Sequence, residues 1–332
     1  MDKFEQGIKQ VVHTCMKINS SDKVVIVGDE VSKEIMDALE NECKTVTGDV
    51  KSFVLEEFGE RPMTSFPKEI EEVANESTAA FYTADSMLGE RNTLRVPLIK
   101  CATQNNGRQA HMPNITRQII EQGMNVDYEE IRKISRRVYN IVSKANEIKV
   151  KTERGTDLSV KIDPNLKWVI ADGFPGEKSS RWTNLPDGEV WTCAKEVNGR
   201  AVVDGVLGDH MCKKYGSIER TPVIVDIVNS RVIRISCDNK DIENDLMEYI
   251  KQDENANRIG EFAIGTNIGL KRLIGVMLQD EKFPGVHFAF GHGYPESSGA
   301  DWTSKAHCDA VILRPTIIVD GREIMKEGKF LI

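Results

Sequence analysis

The stretch E-I-K-V-K-T-E-R-G-T-D-L-S-V-K-I, residues 147–162, decides the fold. Ile148 and Val150 alternate with charged neighbours, Arg154-Gly155 interrupts the run, and Leu158, Val160 and Ile162 resume it. Period-two alternation around a glycine turn is the pattern of a half-buried β-hairpin. Immediately before it, residues 127–146 repeat at helical spacing, with Ile131, Ile134, Val138, Ile141 and Val142 recurring at intervals of three and four. An acidic first turn behind Asp127, followed by Lys and Arg, suits the dipole of such a helix. The change of period predicts two domains, 1–146 and 147–332, with this helix as the bridge between them.

Upstream of the helix, short apolar runs alternate with helical patterns. K-V-V-I-V-G-D (23–29) reads as a buried strand closed by Gly28, and the helical V-S-K-E-I-M-D-A-L-E-N-E-C follows. V-K-S-F-V-L (50–55) and T-A-A-F-Y-T-A (78–84) are further strands, followed by K-E-I-E-E-V-A-N-E and the helix-like D-S-M-L-G-E-R-N-T-L. Repeated strand–helix alternation predicts an N-terminal open parallel α/β domain. Only Gly28 stands where a dinucleotide fingerprint needs three glycines, so a nucleotide cofactor is not expected there. Residues 104–116, Q-N-N-G-R-Q-A-H-M-P-N-I-T, read as a loop carrying His111 near Arg108, a surface histidine rather than a ligand.

Downstream, strand signals dominate. W-V-I-A, R-W-T-N-L, E-V-W-T-C-A and G-R-A-V-V are short strands, 222–237 is a hairpin turned at Asn229-Ser230, and 241–252 is a helix. The tail is a hairpin turned at Asp320-Gly321, a strong turn signal. The second domain is therefore β-rich and mixed α+β.

Composition narrows the function classes. The 332 residues carry a net charge of −8 with both signs interspersed, which argues against a nucleic-acid groove. No apolar run approaches the roughly 20 residues that span a bilayer, and M-D-K-F-E-Q-G-I-K-Q lacks a leader's apolar region, so a cytoplasmic protein is expected. Seven cysteines, odd in number and never paired as C-x-x-C, fit reduced thiols. Cys308 sits between His307 and Asp309, but on a strand it faces away from both and reads as structural.

The chemistry is concentrated between 189 and 309. Glu189 follows a proline–glycine turn at the start of an apolar strand, and Glu261 opens E-F-A-I-G in the same way. Glu281 precedes the turn Phe283-Pro284-Gly285, His287 opens H-F-A-F-G, and His307-x-Asp309 puts two polar side chains on one strand face. Four carboxylates and two imidazoles exceed what one ion needs and match two, in the donor chemistry that suits Zn, Co or Mn. Two ions about 3.5–4 Å apart, bridged by Glu261, can activate a shared water for attack on a peptide carbonyl. Tyr294 in G-H-G-Y-P is a candidate donor to the resulting oxyanion, with His292 a weaker candidate.

The motifs N-L-P-D-G-E-V, G-E-F-A-I-G, D-E-K-x₄-H-F-A-F-G-x-G-Y-P and H-C-D resemble those of the aminopeptidase T and aminopeptidase S family of thermophilic-type metallopeptidases, as a short, divergent member. The resemblance implies metal ligands at Glu189, Glu261, Glu281, His287, His307 and Asp309, and a catalytic tyrosine at Tyr294. It also implies two divalent ions, a small peptide substrate and a homodimer. Two alternatives stand beside it: a mononuclear Fe(II) ring-cleaving dioxygenase of the dihydroxypyridine type, and a non-catalytic, metal-stabilised binding protein.

Overall fold

The computed structural model describes residues 2–176 and 180–332. The strands in chain order are β1 (Val24–Gly28), β2 (Val50–Val54), β3 (Ala79–Tyr82), β4 (Arg108–His111), β5 (Glu147–Lys151) and β6 (Asp157–Lys161). Then come β7 (Val169–Ala171), β8 (Trp182–Asn184), β9 (Glu189–Thr192), β10 (Glu196–Val203), β11 (Val223–Val228) and β12 (Arg231–Ser236). The last six are β13 (Ile259–Gly265), β14 (Gly285–Gly291), β15 (His307–Leu313), β16 (Thr316–Val319), β17 (Arg322–Lys326) and β18 (Lys329–Phe330). They form two compact units, Met1–Tyr128 with Asp172–Asp187, and Glu129–Ala171 with Gly188–Ile332.

The first unit is a five-stranded sheet in the order β2-β1-β3-β4-β8, every pair parallel. β1 is buried at every position, as its apolar run predicts. Gly28 ends it because nothing larger fits: a Cβ there would lie 2.3 Å from Thr83 Oγ1 and 2.4 Å from Met36 Sδ. Beyond the strand ends, the Arg61 guanidinium bridges Asp29 and Glu90, at 2.6 Å from each, and all three side chains are almost wholly buried.

Two strands of this sheet differ from the sequence reading. The expected loop around His111 is β4, an inner strand, with Gln109 and His111 buried. Its burial is polar, so no apolar pattern announces it. The His111 ring stacks on Tyr82 with centroids 5.1 Å apart, and its Nε2 accepts from Arg95 Nε at 3.1 Å. Burial, with the Arg95 charge beside it, holds the imidazole well below its usual range. Arg108 ties Asp22 and the Met16 carbonyl rather than serving His111. The other difference is R-W-T-N, which forms β8 and pairs with β4 instead of joining the second unit. The helix expected over 85–94 starts later, running as a wide turn over Arg91–Arg95 into the helix Val96–Thr103.

The second unit holds two antiparallel sheets, β12-β11-β10-β6-β5-β16-β17-β18 and β15-β14-β13-β9-β7. The hairpin expected over 147–162 is β5–β6, with Lys151 opposite Asp157 across the turn. Asn229-Ser230 and Asp320-Gly321 turn their hairpins with positive φ throughout, as two-residue loops between twisted strands require. The long helix Tyr128–Val142 contributes Val138 and Val142 to the core of this unit, which is why it groups here rather than closing the first domain. No helix among the described residues is long and apolar enough to cross a membrane.

Candidate metal centre

The five-stranded antiparallel sheet has two chemically opposite faces. Val190, Phe262, Ile264, Val286, Phe288, Phe290, Ala310 and Ile312 belong to the unit's apolar core. Strand alternation places their neighbours on the other face, and these are Glu189, Glu261, His287, His307 and Asp309. Register then brings them into rows. Glu261 lies opposite Ala289, which lies opposite Asp309, while His287 lies opposite Ala263 and His307 opposite Gly291. Cys308, on the apolar face, is buried, and burial pushes its thiol well above the usual range, so it is no nucleophile.

Glu281 arrives from outside the sheet. The short helix Met277–Asp280 is held by Asp280, whose carboxylate accepts from the Ile274 and Gly275 amides at 3.0 and 2.7 Å. The chain then passes directly over the end of β13. A Cβ on Gly265 would stand 2.1 Å from the Phe283 carbonyl oxygen, so only glycine admits this crossing.

The structure brings all six expected ligand residues together. Glu189–Glu261–His287, Glu261–His307–Asp309 and Glu281–His287–Asp309 each place one donor atom per residue within 4.8 Å of the others, and the three groups share members. His287 Nε2 lies 3.3 Å from Glu189 Oε2 and 3.5 Å from Glu261 Oε1, and His307 Nε2 lies 3.3 Å from Asp309 Oδ2. Tyr294 occupies a left-handed backbone position, and its ring lies edge-on to His307 with centroids 5.0 Å apart. His292 stands outside the three groups and packs edge-on against Tyr294 at 4.8 Å.

One member of the site had no role in the sequence reading. Lys282 is 1% exposed, and its Nζ lies 2.6 Å from Glu189 Oε1 and 2.8 Å from Glu281 Oε1. A lysine beside two acids at a turn reads as a solvated charge, and no periodicity separates the two cases.

The electrostatics are those of a cation site. Burial alone would raise Glu189, but Lys282 and His287 hold it well below the usual carboxylate range. Burial pushes Glu281 up to about 8 against the pull of Lys282, with Asp309 and Glu189 adding to the rise. Burial also raises Glu261, opposed by His287 and reinforced by Asp309. Burial would depress His307, yet Asp309, Glu261 and Glu281 lift it to about 9, and Glu189, Glu261 and Asp309 lift His287 well above its usual range against the same effect of burial. The carboxylates thus draw positive charge onto whatever lies among them. Nδ1 of both imidazoles is buried with no hydrogen-bond partner among the described residues. Oxygen and imidazole donors in this number fit a divalent transition ion.

A carboxylate–imidazole cluster on one face of an antiparallel sheet is a donor set for divalent transition ions. The chain matches the thermophilic metalloprotease family (M29) over residues 120–328, more than half its length, and it belongs to that family. Among solved structures it is similar to AmpT from Thermus thermophilus, at 15% identity and a TM-score of 0.73, the match covering 99% of each chain. It is also similar to 2,5-dihydroxypyridine dioxygenase from Pseudomonas putida KT2440, at 14% identity and a TM-score of 0.72, over 99% of this chain and 96% of that one. At such identities the two likenesses establish a shared fold. No curated protein matches the chain in sequence.

Proposed function

We propose that the chain is a metal-dependent aminopeptidase that removes N-terminal residues from small peptides. The observation that carries this is the convergence of six carboxylate and imidazole donors, in three overlapping groups, in a chain of the metalloprotease family. Zn, Co or Mn held by these carboxylates and imidazoles would supply a polarised carbonyl and an activated water.

The protein's own groups divide the remaining work. A carboxylate of the cluster that is not bonded to the ion is suited to take the proton of the attacking water as its oxygen bonds to the carbonyl carbon. It then returns that proton to the leaving nitrogen as the C–N bond breaks. Tyr294 stands against His307 and is suited to donate its phenolic hydrogen to the oxyanion formed in between. A pocket so rich in carboxylates favours a substrate that brings a free α-amino group, which supports an exopeptidase over an endopeptidase. A homodimer belongs to the same proposal on the strength of the family resemblance alone.

The fold by itself would serve ring-cleaving oxygenation as well, because the dioxygenase superposes as closely as AmpT does. Family membership favours the peptide. The test is turnover of Leu-p-nitroanilide and a dipeptide panel by protein stripped with chelator and reloaded with Zn, Co or Mn. Turnover is expected only with metal, and Glu261→Gln should lose about 10²-fold or more. Folded, metal-loaded protein that leaves the whole panel intact would overturn the reading, and cleavage of dihydroxylated rings by the iron-loaded form would replace it.

A further inference from the structure

The donor set is large enough for two ions, but Lys282 already provides a positive charge inside it. We propose that the Lys282 ammonium takes the place of the second metal ion, so that the chain binds a single divalent ion at Glu261, His307 and Asp309. This rests on the reading of the cluster as a metal centre.

The geometry separates the three donor groups. Glu189–Glu261–His287 includes a carboxylate held by Lys282 at 2.6 Å, and Glu281–His287–Asp309 includes one held at 2.8 Å. An ion on Glu189 Oε2, the oxygen that faces His287, or on Glu281 would share its carboxylate with an ammonium already 2.6–2.8 Å away, so two buried positive charges would compete for one negative group. Both groups also depend on His287, whose Nε2 faces Glu189 and Glu261 together. Neither carboxylate of Glu261–His307–Asp309 is one of the two that Lys282 holds at 2.6 and 2.8 Å, though its charge is also felt at Asp309.

Lys282 is not a side chain that has wandered in from solvent. Its amide donates to the Gln279 carbonyl at 3.0 Å, and its own carbonyl accepts from the Asn267 amide at 3.0 Å. The Phe283 carbonyl beside it is seated against Gly265. The backbone is therefore fixed where the ammonium must enter the cluster, and a buried ammonium between two carboxylates has no cheaper place to go.

The experiment counts ions. Chelator-stripped protein is titrated with Mn(II) or Zn(II), and bound metal per chain is measured by equilibrium dialysis, with Mn(II) magnetic resonance to distinguish an isolated ion from a coupled pair. The wild type is expected to saturate at one ion with an uncoupled signal. Lys282→Met, which removes the charge but keeps the length, is expected to take up a second ion and give a coupled signal. Lys282→Arg should stay at one.

Two ions in the wild type overturn the proposal, and so does a folded Lys282→Met that still saturates at one. Should Lys282→Met fail to fold, the wild-type count decides alone. Two ions with peptide turnover would remove this inference and leave the peptidase reading intact. One ion without turnover on any peptide would do the reverse, and no bound ion would remove both.

Discussion

At the scale of single residues, the site is a lesson in what alternation can and cannot announce. His307-x-Asp309 was legible because a strand puts i and i+2 on one face, and His287 because it opens the strand H-F-A-F-G. Glu189 and Glu261 were legible as acids at the mouths of apolar strands. Lys282 was not, because its meaning comes from the carboxylates it meets rather than from its neighbours in sequence. Tyr294 lies between these cases: its motif singled it out, and the structure seats its ring against His307. Tyr294→Phe keeps that ring contact while deleting the hydroxyl. If the phenol donates to the oxyanion, kcat should fall roughly 10²–10³-fold with KM little changed. An unaltered kcat, measured on a metal-loaded variant, would leave Tyr294 a packing residue.

At the scale of elements, the parallel sheet shows where hydrophobic patterning stops. β1 and β3 are wholly buried apolar runs and could be read directly, whereas β4 is buried through Gln109 and His111 and could not. The same unit carries a polar network with a predictable pH response. Burial would raise Asp29, but the Asp85 and Ser32 amides and Arg61 hold it below its usual range. A carboxyl depressed by folding contributes its full stabilisation above its unfolded value of about 3.9, and loses it as pH falls through the folded one. Asp29→Asn should therefore be less stable than the wild type near pH 7, by about 1–3 kcal/mol for the lost charged hydrogen bonds. The gap should narrow below about pH 4. Urea melts at pH 7 and pH 3 check this, and a gap of constant size would assign the stabilisation elsewhere.

For the whole molecule, the change of period after residue 146 predicts a boundary there, whereas the structure divides the chain at other points. The structure groups most of the long helix with the β-rich unit and sends residues 172–187 back to the α/β unit. Metal removal should act on one unit only, since every candidate ligand lies in the second. An ion present at 1,000 times its dissociation constant adds about 4 kcal/mol to the unit that holds it. Chelation should accordingly lower the melting temperature reported by Trp168, Trp191 and Trp302, all in that unit, and leave the α/β unit's transition in place. Calorimetry with and without chelator would show it, and an equal shift of both transitions would mean that the units do not melt separately.

The return of residues 172–187 also sets a timetable for synthesis. β4 gains its outer neighbour only when β8 has emerged from the ribosome, some seventy residues after β4 itself, by subtraction of their positions. Until then the nascent sheet presents β4 as an open rim of unpaired backbone N–H and C=O groups. A gene cut after codon 146 would leave that rim bare for good, whereas one cut after codon 187 would supply the strand that covers it.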